Sequence, residues 1–334
     1  MAQRKERIDR GIKVRSDDVF VLTSWREMLY LAAPRVVPVV ALFVLGLVAG
    51  PYWERVLIST CMFALLAISW DLLNSAGMVS LGQALFFGVG AYIAGTLNHY
   101  LGLPPGLTIP IATVGGGVLC TLALLPVLRL RGIYFAMVTL ILPMMIERVI
   151  EATKIFGGTE GISGLTTLGN PHLEFWLAAV VVFVALFGFR RMIGSDYGLL
   201  LKGINDNDRA VMSAGMNIYQ YKAQALFMAS SVGAFAGAFM THAYQFVGMP
   251  VFALDYSMIP IASVAVGGMG TLAGPMLGSF ILVPMSELLR GLGGLRVVIY
   301  AVILVVFTVG LPEGIFHYLS RKYNQFERWV GVER

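Results

Sequence analysis

Apolar segments of near-helical length alternate with short polar segments along the chain, and this pattern predicts a bundle of membrane-spanning helices. The hydrocarbon core of a bilayer is about 30 Å thick and requires roughly 20 apolar residues per helix. Gly, Pro and charged residues separate the segments, as expected where helices end. The predicted spans are 36–48, 56–73, 81–97, 109–128, 134–150, 173–189, 223–246, 256–266, 275–289 and 297–309. We therefore expect an all-α, polytopic membrane protein with about ten transmembrane helices. Eight helices are the alternative, because any even number places both termini on the same side of the membrane.

The composition supports the bilayer as the solvent of this chain. Of its 334 residues, 57% are hydrophobic and 13% are charged, with a mean hydropathy of +0.78. No soluble domain of this size needs so much apolar surface. The pI near 9.2 does not indicate a nucleic-acid partner, because the basic residues lie between the spans and report orientation. Cys61 and Cys120 fall within apolar segments, so we interpret them as small buried thiols.

The basic residues are distributed unevenly, and this distribution predicts the orientation of the chain. Most of the 24 Lys and Arg residues fall in the N-terminal tail, the loop at 129–131, the segment 190–222 and the C-terminal tail. Cytoplasmic segments carry such an excess. We therefore expect cytoplasmic tails at 1–27 and 317–334, a transmembrane domain at 28–316, and no removable signal peptide.

The longest polar interval within the apolar part of the chain is 190–222, and its pattern predicts two short helices joined by a turn. Ser195 or Asp196 is expected to cap the first helix. Asn205 or Asp206 is expected to cap the second, because short polar side chains accept hydrogen bonds from the free N–H groups of a helix start.

The second short helix carries further end signals. Asp208 in its first turn suits the positive end of the helix dipole. Gly215 is a natural C-cap, and Asn217 restarts the chain into the next span. A folded pair of helices between two spans is more than a tether, so we interpret this segment as a docking surface for a soluble partner.

The glycine-rich stretch 74–95 is the best internal candidate for a translocation pathway. Its glycines permit close helix contact or broken helix geometry. A helix start near Ser80 would point free N–H groups toward a carboxylate. Plain packing of small residues is the alternative. The candidate pathway residues are Asn74, Ser80, Gly82, Gln83, Phe87 and Gly88.

Charged side chains in or near the spans are expected to face protein or water, because a charge in lipid costs about 2.5 to 3.5 kcal/mol. We interpret Asp71 as a structural hydrogen-bonding group in preference to a residue that contacts the substrate. Arg148 and Glu151 share a helix face, which favours interfacial charge over an entrance that attracts a zwitterion. The loops 98–108 and 151–174 are predicted to face outward and to meet an external partner.

No catalytic or metal-binding constellation occurs in the sequence. None of the four His residues pairs with Cys, Asp or Glu at metal-ligand spacing, and no P-loop motif for ATP is present. A membrane enzyme would need a polar cluster that is not evident. An ion-coupled secondary carrier is an alternative, and it would use Asp71, Glu147 or Glu287 as its ion site.

Five stretches, in one order along the chain, resemble one protein family. They are SWDLLNSAGMVSLGQALFFGVGAYIAG at 69–95, RGIYFAMVTL at 131–140, GGTEGISGL at 157–165, VAVGGMGTLAGPMLGS at 264–279 and LPEGIF at 311–316. The family is the permease of Liv-type branched-chain amino-acid ABC importers, and more narrowly its M-type subunit. The segment 198–222 resembles the cytoplasmic coupling loop of that family.

The resemblance implies a non-catalytic subunit that forms half of a pathway for branched-chain amino acids in the bacterial cytoplasmic (inner) membrane, with both termini in the cytoplasm. It implies three kinds of partner: a second permease, two cytoplasmic ATPases and an extracytoplasmic binding protein. The ATPases would use ATP and Mg, and this chain would hold no cofactor. The residues expected to enter an ATPase groove are Asn205, Asp206, Asn207, Asp208, Arg209, Ala210, Ala214 and Gly215.

Gln83 and two prolines modify these expectations. Gln83 stands where the family often has His, so urea, short amides and other amino or organic acids stay open as substrates. Pro143 is expected to interrupt a helix that usually runs unbroken in the family. Pro260 is expected to break the short eighth span.

Overall fold

A computed structural model describes residues 3–7, 46, 50–293, 295–311, 313–324 and 327–331. Its helices are α1 (Pro51–Ser75), α2 (Gln83–Leu101), α3 (Pro105–Leu124), α4 (Ile133–Thr153), α5 (Pro171–Ile193), α6 (Asp196–Ser213), α7 (Ile218–Tyr244), α8 (Asp255–Gly267), α9 (Ala273–Leu288), α10 (Leu295–Gly310) and α11 (Gly314–Asn324). Short 3-10 helices cover Leu125–Arg129, Ile155–Gly157, Met249–Phe252 and Leu289–Leu292. The strands are β1 (Gln3–Arg7), β2 (Ile162–Ser163), β3 (Phe246–Val247) and β4 (Glu327–Gly331). The predicted all-α class is confirmed.

Within the described part of the chain, 6 helical segments are long and apolar enough to cross a membrane. They are Pro51–Ser75, Pro105–Arg129, Ile133–Thr153, Pro171–Ile193, Ile218–Tyr244 and Met249–Gly267. Each coincides with a predicted span. Helices α2, α9 and α10 also form where spans were predicted, but they are shorter or more polar. The first predicted span, 36–48, lies outside the described residues except for Gly46, so the count of ten stays a prediction.

One end of the bundle carries α6, and we call it the α6 face. Asp208 of α6 pairs with Arg131, just before α4, at 3.0 Å. Asn205 of α6 lies against Gly77, just after α1. Since α6 connects α5 to α7, the end of α5 and the start of α7 lie at this face as well.

The opposite face gathers the other ends of the same helices. Arg55 at the start of α1 pairs with Glu174 at the start of α5 at 3.2 Å. Arg55 also donates to the Ala243 carbonyl, near the end of α7, at 2.6 Å. Tyr52 donates to Glu287, near the end of α9, at 2.5 Å. Helices α1, α5 and α7 therefore run from one face to the other, as membrane-spanning helices do.

The loop between α4 and α5 is folded against this opposite face. It covers 154–170, because α4 extends to Thr153 and α5 begins at Pro171. Within it, β2 pairs antiparallel with β3. Asn98 of α2 donates to the hydroxyl of Thr166 at 2.6 Å. The predicted outward loops at 98–108 and 151–174 thus contact each other.

The two ends of the chain contain a second strand pair. Strand β1 pairs antiparallel with β4, with Gln3 opposite Gly331 and Arg7 opposite Glu327. The remainder of the predicted N-terminal tail lies outside the described residues.

Helix α1 forms the centre of the bundle. Of the most apolar stretch of 18 residues in α1, 89% are buried. Leu65, Leu66 and Ile68 have no exposed surface. It packs against α5, α7, α8 and α9, so the hydrophobic core is organised around this helix.

Glycines allow α2 and α7 to approach closely. A Cβ on Gly237 of α7 would overlap the carbonyl oxygen of Phe87, and one on Gly90 of α2 would overlap the backbone of Ala234. Contact with backbone atoms leaves no flexible side chain to move aside. The close pairing of these two helices therefore depends on residues without a side chain.

The predicted helix breaks at two prolines are wrong. Pro143 lies within α4 and Pro260 within α8. Each proline removes one N–H, leaving the carbonyl four residues earlier, of Thr139 or Tyr256, without its usual donor. Neighbouring helices tolerate this loss in a packed bundle. The irregular part of the eighth predicted span lies before the helix, where Met249–Phe252 forms a 3-10 turn.

Candidate functional site

Helix α6 occupies the polar segment that was predicted to hold two short helices. Its backbone departs from helical geometry at one residue, Asn207, with φ −157° and ψ 94°. The Asn207 side chain accepts a hydrogen bond from the Ala210 N–H at 3.2 Å. Asn207 therefore caps the second half of α6, and the predicted caps Asn205 and Asp206 are wrong. The break is a single residue because Asn207 adopts the extended backbone that is typical of an N-cap and supplies the capping side chain itself.

The start of α6 also differs in detail from the expectation. Ser195 occupies the N-cap position, but its side chain makes no capping hydrogen bond to α6. Its hydroxyl donates backward to the Met192 carbonyl at 2.6 Å. The position of the helix start was thus predicted, but the predicted capping bond does not form.

The end of α6 is a Schellman motif. Gly215 has φ +83°, and its N–H donates to the Met212 carbonyl at 3.0 Å. The Met216 N–H donates to the Val211 carbonyl at 3.4 Å. Ala214 holds the C-cap position, and Gly215 supplies the left-handed residue that follows it.

One side of α6 is anchored to the bundle. Gly198, Leu201 and Ile204 are buried. The Tyr197 hydroxyl donates to the Tyr221 carbonyl of α7 at 3.3 Å. Burial, and to a smaller extent the nearby Tyr221, raises the pKa of Tyr197 to about 12. The phenol therefore stays neutral at physiological pH.

The other side of α6 bounds an open groove of about 510 Å³, which we call the α6 groove. Of the predicted coupling residues, Asp206, Asn207, Ala210 and Ala214 line it. Leu199 on the same side is 70% exposed. The remaining predicted coupling residues are Asn205, Asp208, Arg209 and Gly215, which the structure places outside the groove lining. The groove combines small, acidic and apolar side chains on an accessible surface.

Asp208 contacts the bundle instead of the groove. Its carboxylate lies 3.0 Å from the Arg131 guanidinium, with 18% and 51% of the two side chains exposed. The buried Lys222 ammonium, in the first turns of α7, interacts electrostatically with both. This cluster ties the second half of α6 to the starts of α4 and α7.

Exchanging the two charges tests this tie. Asp208→Arg and Arg131→Asp are each expected to lower the stability of the purified protein by about 1 kcal/mol, the upper range for an exposed ion pair. The double exchange should recover most of the loss, because the pair reforms with reversed polarity. Thermal unfolding in detergent measures all three. Asp206→Arg, at an exposed position two residues away, should shift stability by at most about 0.5 kcal/mol. Additive losses in the double variant would contradict the pairing.

Helix α6 also contacts the turn that joins α1 to α2. A Cβ on Gly77, which has φ +71°, would lie 3.2 Å from the Asn205 Cα. Asn74, near the end of α1, is partly buried beside this turn. The Trp70 indole donates to the Ser80 carbonyl at 2.6 Å, so the turn folds back along α1 into the bundle. The turn therefore connects α6 to the start of α2.

Helix α2 begins inside the bundle, at Gln83. The Ala84 N–H donates to the Ser257 hydroxyl of α8 at 3.0 Å. Gln83 accepts a hydrogen bond from the Ser69 hydroxyl of α1 at 3.1 Å. The other end of the Gln83 amide is buried and has no hydrogen-bond partner among the described residues. The Ser257 hydroxyl thus already accepts from one of the N–H groups that were predicted to point toward a carboxylate at the start of α2.

The proline in α4 shapes this helix start. Pro143 leaves the Thr139 carbonyl without its helical donor, and Gly82 packs directly on that carbonyl. The Thr139 hydroxyl accepts a hydrogen bond from the Leu81 N–H at 3.0 Å. Thr139 and Pro143 therefore position the residues that precede α2, a role that the sequence did not reveal.

A cavity of about 140 Å³ lies between α2, α7, α8 and the segment after α7, and we call it the central cavity. The rings of Phe87 and Tyr256 stack at 4.2 Å on one side of it. Thr241, Tyr244 and Phe246 contribute further lining. Such a lining suits a small molecule with an apolar side chain and few polar groups.

The predicted pathway residues are distributed around this cavity. Phe87 lines it, whereas Gly88 packs against the Phe252 ring just beside it. Gln83 lies one helical turn before Phe87. Asn74 lies near the end of α1, and Ser80 lies in the turn between α1 and α2, where its carbonyl accepts from Trp70 of α1. Of the six predicted pathway residues, only Phe87 therefore lines the central cavity, and the pathway role of the others stays a prediction.

Asp71 is engaged away from the cavity. Its two carboxylate oxygens accept hydrogen bonds from the N–H groups of Gly270 at 2.7 Å and Leu272 at 2.9 Å. The loop between α8 and α9 is held in this way, in agreement with the structural role expected for Asp71.

The profile of the family described as "Branched-chain amino acid transport system / permease component" matches residues 52–308. The chain belongs to this permease family. The match includes the α1–α2 turn, α6 and the central cavity, so the family assignment covers every feature of the candidate site.

Curated relatives agree with the family profile. LivM of Escherichia coli, a "High-affinity branched-chain amino acid transport system permease protein", is 27% identical over 271 residues, which cover 72% of this permease and 64% of the relative. A probable LivM of Methanocaldococcus jannaschii is 24% identical over 216 residues, covering 58% and 63%. A probable LivH of the same organism is 22% identical, covering 69% and 77%. This permease thus spans less than two thirds of the LivM relatives. No solved structure matches it.

Several site residues of the permease were not identified from the sequence. Arg131 holds Asp208, Tyr256 stacks on Phe87, and Phe252 fills the space beside Gly88. Each is distant in sequence from its partner. The sequence offered weak signals only: Arg131 is the first residue of the motif at 131–140, and Tyr256 begins a short predicted span.

Proposed function

We propose that this chain is the permease subunit of an ATP-binding-cassette importer for branched-chain amino acids. It would form half of the translocation pathway and have no catalytic activity, with ATP and Mg used by two cytoplasmic ATPases. One observation supports this proposal most directly. In a chain of this permease family, α6 presents an open groove to the surface and contacts the turn that leads into the cavity-lining helix α2.

The contacts supply a mechanical route for coupling. A partner seated in the α6 groove would move the half of α6 that Asn207 caps. Asn205 would pass this movement to Gly77 and the α1–α2 turn. Asp208 would pass it to Arg131 at the start of α4. Because Thr139 of α4 also holds the start of α2, both routes end at the lining of the central cavity.

The opposite face supports docking of an extracytoplasmic binding protein. The loop 154–170, the end of α2 and the segment after α7 are hydrogen-bonded into one surface there. Arg148 and Glu151 form an exposed ion pair at 2.6 Å on the same face. A rigid surface of this kind can receive a soluble protein without a large ordering cost.

A second permease is the expected lateral partner. Of the most apolar stretch of 18 residues in α4, only 28% are buried. Met137, Met144 and Met145 are more than half exposed on this helix. Methionine-rich faces adapt to partner surfaces. Relatives include both LivM and LivH proteins, which supports pairing of two related permeases.

The geometry gives less support to an ion-coupled carrier. Asp71 binds backbone N–H groups, and Glu287 binds Tyr52 at the opposite face. The described part of the chain holds no group of three or more His, Cys, Asp or Glu residues that could bind a metal. None of the three acidic residues considered for ion coupling lines the central cavity.

Reconstitution of the whole assembly tests the proposal. The chain, its partner permease and the ATPases would be placed in proteoliposomes with the binding protein encoded beside them. We expect leucine-loaded binding protein to stimulate ATP hydrolysis and to drive leucine uptake that stops without ATP. Uptake by the purified chain alone, or uptake abolished by ionophores but not by ATP depletion, would overturn the proposal.

A further inference from the structure

A groove of about 550 Å³ lies between α3, α5 and α7 where these helices approach α6, and we call it the lateral groove. Its volume is within the range of about 300–1,000 Å³ that is usual for ligand sites. It shares no lining residue with the α6 groove or the central cavity. Its walls are mainly apolar, and they include Val118 and Leu122 of α3, Met192 of α5, Tyr197 of α6, and Phe227 and Met228 of α7.

The lateral groove opens on an exposed apolar surface. Val118 and Leu122 are 42% and 60% exposed. They belong to α3, a membrane-spanning helix of which only 33% of the most apolar 18-residue stretch is buried. The opening therefore faces the hydrocarbon of a bilayer, where an acyl chain is the available occupant.

The lateral groove extends over the depth of one leaflet. Met228 lies ten residues after Ile218, the first residue of α7, or about 15 Å along the helix axis. Helix α7 begins at the α6 face, and half of the hydrocarbon core is also about 15 Å thick. The groove therefore runs from the polar α6 face to near the middle of the membrane, as an acyl chain of that leaflet does.

The end of the lateral groove at the α6 face is basic. Arg190 and Arg191 lie in the last turn of α5, directly before Met192 of the groove, and both are exposed. Within the described part of the chain, neither forms an ion pair. The nearest acidic residue in the sequence, Asp196, lines the α6 groove instead. Two guanidinium groups at the end of an apolar groove complement an anionic headgroup joined to an acyl chain.

One polar side chain of the lateral groove supports the same ligand. Gln224 lines the groove and is exposed. Its amide forms no hydrogen bond with another described residue, and an unpaired amide in hydrocarbon costs free energy. The ester carbonyls of a phospholipid lie between its phosphate and its acyl chains, so they can accept hydrogen bonds from this amide.

We propose that the lateral groove binds one anionic phospholipid from the leaflet at the α6 face. Its phosphate would lie at Arg190 and Arg191, and one acyl chain would lie along Leu122, Phe227 and Met228. A lipid in this position contacts α5, α6 and α7 together, so it would stabilise the position of α6 on the bundle. The inference requires only that the chain spans a membrane, so it can fail without affecting the proposed function.

Native mass spectrometry of the purified full chain tests the charge of the headgroup. Phosphatidylglycerol and phosphatidylcholine with identical acyl chains would be added in parallel. We expect the wild type to retain one phosphatidylglycerol with an affinity about tenfold or more above that for phosphatidylcholine. The double variant Arg190→Gln, Arg191→Gln should lose this preference. Lys202→Gln, at an exposed position of α6, is the control and should keep it. Equal retention of both lipids by the wild type, or an unchanged preference in the double variant, would overturn the proposal.

Filling the lateral groove tests where the lipid binds. Ala223 lines the groove, so the ring of Ala223→Trp would take the space of the acyl chain and should lower retention of phosphatidylglycerol about tenfold. Ala301→Trp, at an exposed position of α10, is the matched control and should bind as the wild type does. Thermal unfolding in detergent checks that both variants fold, and Leu122→Trp, at a more exposed position of the groove, replaces Ala223→Trp if that variant does not. Wild-type retention by a folded groove variant would overturn the proposal, as would displacement of the lipid when the partner permease is added.

Discussion

Gly237→Val is expected to prevent α2 and α7 from packing and to destabilise the bundle severely. A Cβ on Gly237 would overlap the Phe87 carbonyl oxygen and lie 2.9 Å from the Ala91 nitrogen. Both obstacles are backbone atoms of α2, so the helix itself would have to move. Overpacking costs about 1–3 kcal/mol where side chains can adjust, and we expect a loss at or above that range.

The loss would appear as reduced yield of monodisperse protein and a lower unfolding temperature in detergent. Gly188→Val is the matched control. Gly188 lies in α5, and its added Cβ would have no neighbour within 4 Å. The control should behave like the wild type apart from a small change in helix propensity. Similar losses in both variants would show that the close α2–α7 contact is not the cause.

Gly215→Val is expected to uncouple ATP hydrolysis from uptake while leaving insertion and the bundle intact. Gly215 has φ +83° with open space around it, so the whole effect comes from the backbone. For a residue with a side chain, this left-handed conformation costs about 1–2 kcal/mol, and for a β-branched residue it costs more. The Schellman motif should open, and the second half of α6 should change its orientation relative to the α6 groove.

Proteoliposomes measure this effect as leucine taken up per ATP hydrolysed, which should fall about tenfold if the cost exceeds about 1.4 kcal/mol. Gly293→Val carries the same conformational cost at the other end of the bundle, since Gly293, just after α9, has φ +57° and no neighbour within 4 Å. That variant should keep the wild-type ratio. Wild-type coupling in Gly215→Val would count against a role of α6 in ATPase docking.

The positions of the helices were predictable because long apolar segments determine them. Each predicted span within the described residues is helical, and Gly215 and Asn217 mark the end of α6 and the start of α7 as expected. These features depend on residues close together in sequence. Local propensity and hydrophobic pattern are sufficient for them.

The detailed site could not be predicted because its contacts join distant segments. The cap at Asn207 depended on which of three consecutive polar residues leaves the helix, and neighbouring residues decide that choice. Pro143 and Pro260 were expected to break helices, but the packed bundle supports the helices on both sides of them. Pairing of Arg131 with Asp208 follows from the arrangement of α4 and α6, which no local pattern contains.

The burial of α1 has a consequence for biosynthesis. Asp71 receives its hydrogen bonds from a loop that is synthesised 199 residues later. Until that loop emerges from the ribosome, the nascent α1 carries an unpartnered carboxylate, and such a charge costs about 2.5–3.5 kcal/mol at the centre of a helix in lipid and less near its end, where Asp71 lies. The helix should therefore remain beside the translocon or an insertase until α8 and α9 arrive. Ribosome-stalled chains that end before Gly270 should crosslink to that machinery through α1, and longer chains should be released from it.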